Sequence, residues 1–431
     1  MSQPSVRNAV IIGGNRIPFA RSNTAYVNAS NQDMFTAALE GLVARFGLQG
    51  QRLGAVAGGA VLKHSKDFNL VRESVLGSSL DPATPAYDVQ MACATGMEAI
   101  GSLANKIKLG QIESGIGGGV DTTSDAPIAV SESLRGILLE LSRARSTKAK
   151  LAALAKIRPS HLAPSAPGTG EPRTGLSMGD HQALTTKAWN ITREAQDELA
   201  LASHLNLAAA YDRGFFNDLL TPFKGLSRDN NLRADSSLEK LAKLKPAFGK
   251  NLGEAATMTA GNSTPLTDGA STVLLGSEEF AAAHDLPMLA NFVDFEAAAV
   301  DFVHGAEGLL MAPAYATARL LERNNLALQD FDFYEIHEAF AGTVLATLAA
   351  WEDETFCREK LGLDAPLGAI DRGKLNVNGS SLAAGHPFAA TGGRIIASTA
   401  KMLAEKGSGR ALVSVCAAGG QGVVAIVEAR K

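Results

Sequence analysis

Cysteine is scarce: Cys93, Cys357 and Cys416 are the only three in 431 residues. The number is odd, the spacing wide and no CxxC pair occurs, so neither a disulfide framework nor a zinc or other metal site is expected. No apolar run approaches the ~20 residues that a membrane helix requires. A strong excess of charge is lacking too: the net charge is −4, with 19% charged residues, which argues against nucleic acid as a partner. A local basic pocket for a phosphorylated ligand is compatible with that balance. The opening stretch from Met1 to Val10 has neither a charged-then-apolar leader nor an Arg-rich presequence, so a soluble, cytoplasmic protein is expected. What remains is an ordinary globular composition, 46% hydrophobic. At about 100–200 residues per domain, two or three domains are expected.

The first third alternates short β runs with helical patterns. Ala9–Ile12 reads as a strand, Met34–Phe46 as a helix, Leu53–Ala57 as a weaker strand and Ala86–Gln90 as another. A helix follows over Thr95–Leu109, then the Gly-rich apolar run Ile112–Val120. Such alternation predicts an α/β layer with a mostly parallel sheet. From Ala126 to Ala255 the chain reads as a helical, charged excursion broken by Pro and Gly. Ile137, Leu138 and Leu141, then Leu151, Leu154 and Ala155, have helical spacing. A second helical run, Arg193–Tyr211, follows Thr192, an N-cap candidate. The last third returns to α/β character, with strands at Leu289–Phe292 and Asp332–Ile336 and a helix over Tyr315–Leu328. Ala411–Cys416 and Val423–Glu428 read as paired strands about a tight turn, Ala417–Gly422. The α/β material thus occurs twice, which suggests a duplicated core.

Several segments could carry chemistry. In Gln90-Met91-Ala92-Cys93-Ala94-Thr95-Gly96 a strand ends, the chain turns sharply and a helix starts at or just after Cys93. Helix-terminal amides stabilise a thiolate, and the small neighbours leave the sulfur accessible. A buried cysteine packing a helix start fits the same residues. In Gly385-His386-Pro387-Phe388-Ala389-Ala390-Thr391-Gly392, after Asn376-Val377-Asn378-Gly379-Ser380, a histidine sits in a rigid loop before a helical run. Imidazole suits proton transfer near neutrality, although a lone histidine is as readily structural. The Gly-rich turn after Cys416 can offer backbone N–H groups to an oxyanion, or be a plain hairpin. His337-Glu338-Ala339-Phe340 is not HExxH, because Ala341 occupies the fourth position after His337, so zinc ligation is unsupported. Asn262-Ser263-Thr264-Pro265 is a polar turn leading into an apolar strand.

Together and in this order, these segments resemble the thiolase superfamily over nearly the whole chain, from Gly13-Gly14-Asn15-Arg16-Ile17-Pro18-Phe19 to the Cys416 turn. Ser177-Met178-Gly179 and Ser203-His204 resemble the thiolase loop domain. The resemblance implies a five-layer α/β/α/β/α core of two similar halves with an inserted, mostly helical loop domain. The divisions it implies are 1–125, an insertion over 126–255, a return over 256–283, and a second half over 284–431. Most thiolases have asparagine where this chain has His337. That histidine, Lys243-Leu244-Lys245-Pro246-Ala247-Phe248 and the segment Ala126–Pro164 resemble the β subunit of fatty-acid-oxidation trifunctional complexes and its bacterial relatives.

The site roles come from the same resemblance. Cys93 is implied as the acylated nucleophile, His386 as the acceptor of its proton and Cys416 as the acid/base for the departing carbanion. One oxyanion site is implied at His386 and His337, the other at the backbone N–H groups of Cys93 and Ala418. Met178 and Thr264 match positions near the acyl or pantetheine part of the ligand. The implied activity is CoA-dependent thiolysis of 3-ketoacyl-CoA in β-oxidation, with acyl-CoA and CoA as ligands and no permanently bound cofactor. Condensation to acetoacetyl-CoA through the same site is the alternative. A ketoacyl synthase is a more distant one, disfavoured by Cys416 where decarboxylating synthases place histidine. A non-catalytic scaffold is disfavoured by the intact set Cys93, His337, His386 and Cys416. Thiolases are dimers or dimers of dimers, and the trifunctional type adds an α subunit of the hydratase/dehydrogenase kind. Segment 126–164 is its expected contact, with that subunit or with a membrane surface. A solvated amphipathic helix covering the loop domain fits the same residues.

Overall fold

The computed structural model describes residues 6–305 and 307–430. Nine strands form the main framework: β1 Val10–Arg16, β2 Ala55–Gly58, β3 Ala86–Asp88, β4 Ser114–Asp121, β5 Thr267–Gly276, β6 Ala290–Ala299, β7 Phe333–Ile336, β8 Arg410–Ala417 and β9 Gln421–Ala429. In the first half the spatial order is β3-β2-β4-β5-β1, and in the second it is β7-β8-β9-β6. The pairing repeats. β2 lies parallel to β4, which is antiparallel to β5, itself antiparallel to β1. Likewise β7 lies parallel to β8, which is antiparallel to β9, itself antiparallel to β6. Among these nine strands only β3 has no counterpart. A short antiparallel ladder, Val10↔Asn291 and Ile11↔Ala290, joins the two halves.

Strand alternation sends side chains to opposite faces, and this builds the layers. Val10 and Ile12 pack with Phe35, Leu39 and Leu42 of helix α1 (Asn31–Phe46) on one outer face. Ile11, between them, joins the central core. That core holds Ile100 and Leu103 of α2 (Thr95–Lys108) against Ile395 and Leu403 of α9 (Thr391–Lys406), with Val413, Val423 and Val427 from the second sheet. Leu412, Val424 and Ile426 face the other way, onto Leu320 of α7 (Ala312–Asn324) and Leu348 and Trp351 of α8 (Ala341–Glu352). The result is the expected five-layer α/β/α/β/α core. The glycines of β4 let the middle layer close: a Cβ on Gly117 would stand 2.7 Å from Ile100, and one on Gly119 would stand 2.1 Å from the Ala389 carbonyl oxygen.

Between β4 and β5 the chain makes its excursion. Helices α3 (Glu132–Arg143) and α4 (Thr147–Leu154) bury only Ile137 and Ala153 among their described residues. Helices α5 (Met178–Ala188) and α6 (Arg193–Asp212) turn back onto α8, where Thr343 Oγ1 donates to Gln182 Oε1 at 2.9 Å. Thr192 caps α6 as expected, its side chain accepting from the Ala195 N–H. The helical reading of 126–255 is corrected beyond Asp212. Apart from the short helix Leu238–Ala242, that stretch consists of turns, bridges and the 3-10 segment Lys250–Ala255. Among the described residues no helix is long and apolar enough to cross a membrane.

Two boundaries also differ from the sequence reading. The helix expected over Tyr315–Leu328 spans Ala312–Asn324, because Asn325 adopts a left-handed conformation (φ 52°) that stops it. Leu328 is buried by the turn that follows, not by helical spacing. The strand expected over Leu289–Phe292 runs on to Ala299, because β9 pairs with it as far as Gln421↔Ala299.

Candidate active site

The Cys93 turn is tightly drawn. Ala92 stands at φ 45°, a left-handed conformation that costs a side chain about 1–2 kcal/mol. Thr95 holds it: its hydroxyl accepts from the Met91 N–H at 2.8 Å and donates to the Ala92 carbonyl at 2.7 Å. Helix α2 begins at Thr95, not at Cys93 itself. The amides acting on the sulfur are those of Ala418, at the Gly-rich turn between β8 and β9, and of Cys93 itself. The helix thus starts just after Cys93, as expected, and an amide from the opposite half of the molecule adds to its end.

His386 arrives from the loop before α9. Its Nε2 lies 3.1 Å from Cys93 Sγ and its Nδ1 2.6 Å from Thr391 Oγ1. The backbone is set by Gly385 at φ 101°, where a Cβ would stand 2.7 Å from Thr267. Thr267 Oγ1 then accepts from the His386 N–H at 3.2 Å. Burial pushes the Cys93 thiol up to about 12, against the Ala418 amide, although the residue keeps partial solvent access. Burial, then the charge of Arg394, pulls His386 down to about 3. Both shifts favour the uncharged forms, a neutral thiol beside a neutral imidazole.

Cys416 is the penultimate residue of β8, buried, and burial followed by the neighbouring Cys93 pushes its thiol upward. The next turn is anchored where the Gly419 N–H donates to Glu171 Oε1 at 2.7 Å. His337 follows β7, its ring centroid 4.1 Å from that of His386. Asn376 clamps the strand end, accepting from the Ile336 N–H and donating to the Ile336 carbonyl, each at 2.9 Å. Glu338 beside it accepts from Ser203, Asn376 and the Leu382 N–H. Cys93, His386, His337, Cys416 and Ala418 thus meet at the seam between the two halves.

Residues 9–279 match the family model for the thiolase N-terminal domain and residues 286–429 the model for the thiolase C-terminal domain. The chain belongs to the thiolase family. It is 40% identical over 425 residues to a 3-ketoacyl-CoA thiolase of Yersinia pestis (strain Pestoides F), covering 97% of this chain and 96% of that one. Among solved structures it is similar to the Bacillus anthracis acetyl-CoA acetyltransferase, with TM-score 0.80 and 30% identity over 99% of this chain and 100% of the other. Human mitochondrial 3-ketoacyl-CoA thiolase in complex with CoA superposes with TM-score 0.81, 25% identity and 99% of each chain covered. Membership makes this protein an acyltransferase.

In this thiolase an apolar wall stands beside Cys416. Cys416 packs in one cluster with Met258, Leu309, Leu310 and Phe340, lined by Met178, Phe248 and Phe302. Met178 thus lies on the edge of the cluster that contains Cys416. Thr264 is placed differently from a free hydroxyl: its Oγ1 donates to the Ala339 carbonyl at 3.0 Å, fastening the turn to the loop after His337. Sequence reasoning assigned no part to Thr95, Thr267, Ser381, Thr391 or Arg394. Thr95 and Thr391 lay inside the quoted motifs, but a hydroxyl in a motif does not reveal its partner.

Proposed function

We propose that this chain is a 3-ketoacyl-CoA thiolase that cleaves 3-ketoacyl-CoA with CoA to acetyl-CoA and a shortened acyl-CoA, through an acyl-Cys93 intermediate. The observation that carries this reading is Cys93 Sγ at 3.1 Å from His386 Nε2, with Cys416 beside it. Cys93 attacks the 3-keto carbon while its proton passes to His386. The C2–C3 bond then breaks, and the carbanion equivalent of acetyl-CoA takes the Cys416 proton at carbon. The incoming CoA thiol restores that proton to Cys416 and attacks the thioester. Cys93 leaves and recovers its proton from His386. Every transfer uses a group able to exchange protons in the site. The Ala418 and Cys93 amides receive one oxyanion, and His386 with His337 receives the other. A preorganised donor of this kind is commonly worth about 2.7–4 kcal/mol.

No permanently bound cofactor enters this scheme, and CoA is a substrate. The apolar wall around Met178 and Phe248 favours an acyl chain longer than acetyl. Comparing C4 to C16 3-ketoacyl-CoA substrates tests that, and a sharp preference for C4 would favour acetoacetyl-CoA synthesis. The reading includes a cytoplasmic dimer or dimer of dimers. It also gives segment 126–164 contact with an α subunit or a membrane, supported by the exposure of Leu138, Leu151, Leu154 and Leu162.

The decisive experiment is a pair of variants. Cys93→Ala is expected to lower thiolysis by about 10⁴-fold or more with folding retained. Cys416→Ser is expected to leave Cys93 acylation measurable by mass but to block carbon–carbon exchange. Near-normal turnover of Cys93→Ala would sink the nucleophile assignment, and equal loss of both half-reactions in Cys416→Ser would require another acid/base.

A further inference from the structure

His337 has one ring nitrogen in use and one idle. Its Nδ1 lies 2.7 Å from the Ser381 hydroxyl, while its Nε2 is buried without a partner among the described residues. The ring lies tilted by 45° against that of His386, its centroid 4.1 Å away, and so borders the His386–Cys93 pair.

Ser381 decides which nitrogen carries the proton. Arg394 Nη2 lies 3.0 Å from Ser381 Oγ, and a guanidinium can only donate. The serine therefore receives one bond from Arg394 and has a single hydrogen to give. Given to His337 Nδ1, that hydrogen satisfies the serine and leaves the histidine proton on Nε2. In the opposite tautomer Nδ1–H points at Ser381, the serine hydrogen has no acceptor among the described residues, and Nε2 becomes a buried acceptor without a donor. The first arrangement leaves one buried polar group unpaired and the second leaves two, and unpaired buried groups are costly. Double protonation is opposed by burial, by His386 and by the Arg394 charge. Arg394 is itself buried, and the same Nη2 also donates to Ser380 Oγ at 3.2 Å, so one arm of its fork is held by two hydroxyls.

We propose that Ser381, held by Arg394, fixes His337 as the neutral Nε2–H tautomer and so makes it a preformed hydrogen-bond donor to the substrate carbonyl oxygen. This rests on the acyl-Cys93 reading and deepens it. Ser381 and Arg394 are positioning residues that act through His337. The neighbouring His386 needs the reverse assignment, Nδ1–H toward Thr391 and Nε2 free to accept the Cys93 proton. In this scheme the two adjacent imidazoles take opposite tautomers.

A double-mutant cycle with a spectroscopic check tests this. Ser381→Ala and Ser381→Thr are made in the wild-type and His337→Asn backgrounds, and acetoacetyl-CoA thiolysis is followed with CoA as acceptor. Ser381→Ala is expected to lower kcat about tenfold or more, below the roughly 10²–10³-fold for losing an oxyanion donor outright, with KM for CoA little changed. Ser381→Thr, which keeps the hydroxyl, is expected to restore most of the rate. In the His337→Asn background Ser381→Ala is expected to change kcat by less than about twofold, since coupled residues are non-additive. Equal losses in both backgrounds would overturn the proposal. In ¹⁵N-histidine-labelled protein without substrate, His337 is expected to show a protonated Nε2 and a bare Nδ1, and the reverse pattern would also overturn it. The spectrum reads the tautomer even if the wild-type chain proves unable to cleave 3-ketoacyl-CoA, so the two readings can fail separately.

Discussion

The seam between the halves and the excursion at α3 and α4 use similar apolar residues to opposite ends. At the seam, α2 and α9 cover each other, and Ile100, Leu103, Ile395 and Leu403 vanish from solvent. On the excursion, Leu138, Leu151 and Leu154 keep 42%, 62% and 42% of their surface exposed. Both regions show helical apolar spacing in the sequence. Periodicity reveals that a helix has an apolar face, not what lies on it. The seam can hold reacting groups because it is over-determined: Thr95 fixes Ala92, Thr391 fixes His386, and Asp121 accepts from the Val61, Leu62 and Ala389 N–H groups to tie two loops together. Among the described residues α3 and α4 bury only Ile137 and Ala153.

If the seam carries the chemistry, the largest effect after Cys93 belongs to the hydroxyl behind the base. Thr391→Val is expected to lower kcat by about 10²-fold by freeing the His386 ring, measured by steady-state thiolysis. A loss under about twofold would place the orientation of His386 elsewhere.

The next test is pH. Cys93 is raised to about 12 and His386 lowered to about 3, so neither group changes charge between these values. The thiolate fraction then grows with pH, and iodoacetamide alkylation of Cys93 is expected to rise about tenfold per unit from pH 6 to 9. A plateau across that range would mean a preformed thiolate–imidazolium pair. Smaller again is the packing effect of Gly119→Ala. The new Cβ would meet the Ala389 backbone oxygen at 2.1 Å, so about 1–3 kcal/mol of stability should be lost in denaturant unfolding. Least of all, Leu151→Ser on the excursion is expected to alter stability by no more than about 0.5 kcal/mol, leaving turnover intact. A loss comparable to Gly119→Ala would erase the contrast between the two regions.

Much of the fold was legible because its signals are local. Thr192 before Arg193–Asp212, the glycine turn between β8 and β9, and the β runs of both halves each follow from a few consecutive residues. The misreadings came where a neighbour overruled local pattern. Ala297 to Ala299 carry no strand signature and are strand only because β9 lies beside them. Phe223 to Ser236 and their surroundings lost the expected helicity to loop bonds such as Arg16 to Asp229, 2.6 Å at its closest.

The sequence by itself determined which chemical groups are present and the turns that carry them: a cysteine after a strained elbow, a histidine in a Gly/Pro loop, a cysteine before a glycine turn. Only the tertiary structure decided which of them face one another. Cys93 and His386 stand 293 positions apart, and Ser381 reaches His337 across 44. Such contacts depend on how two separately folded layers pack, and no local propensity encodes that. The same packing sets Arg394 behind the Ser381 hydroxyl, and so bears on which nitrogen of His337 carries the proton.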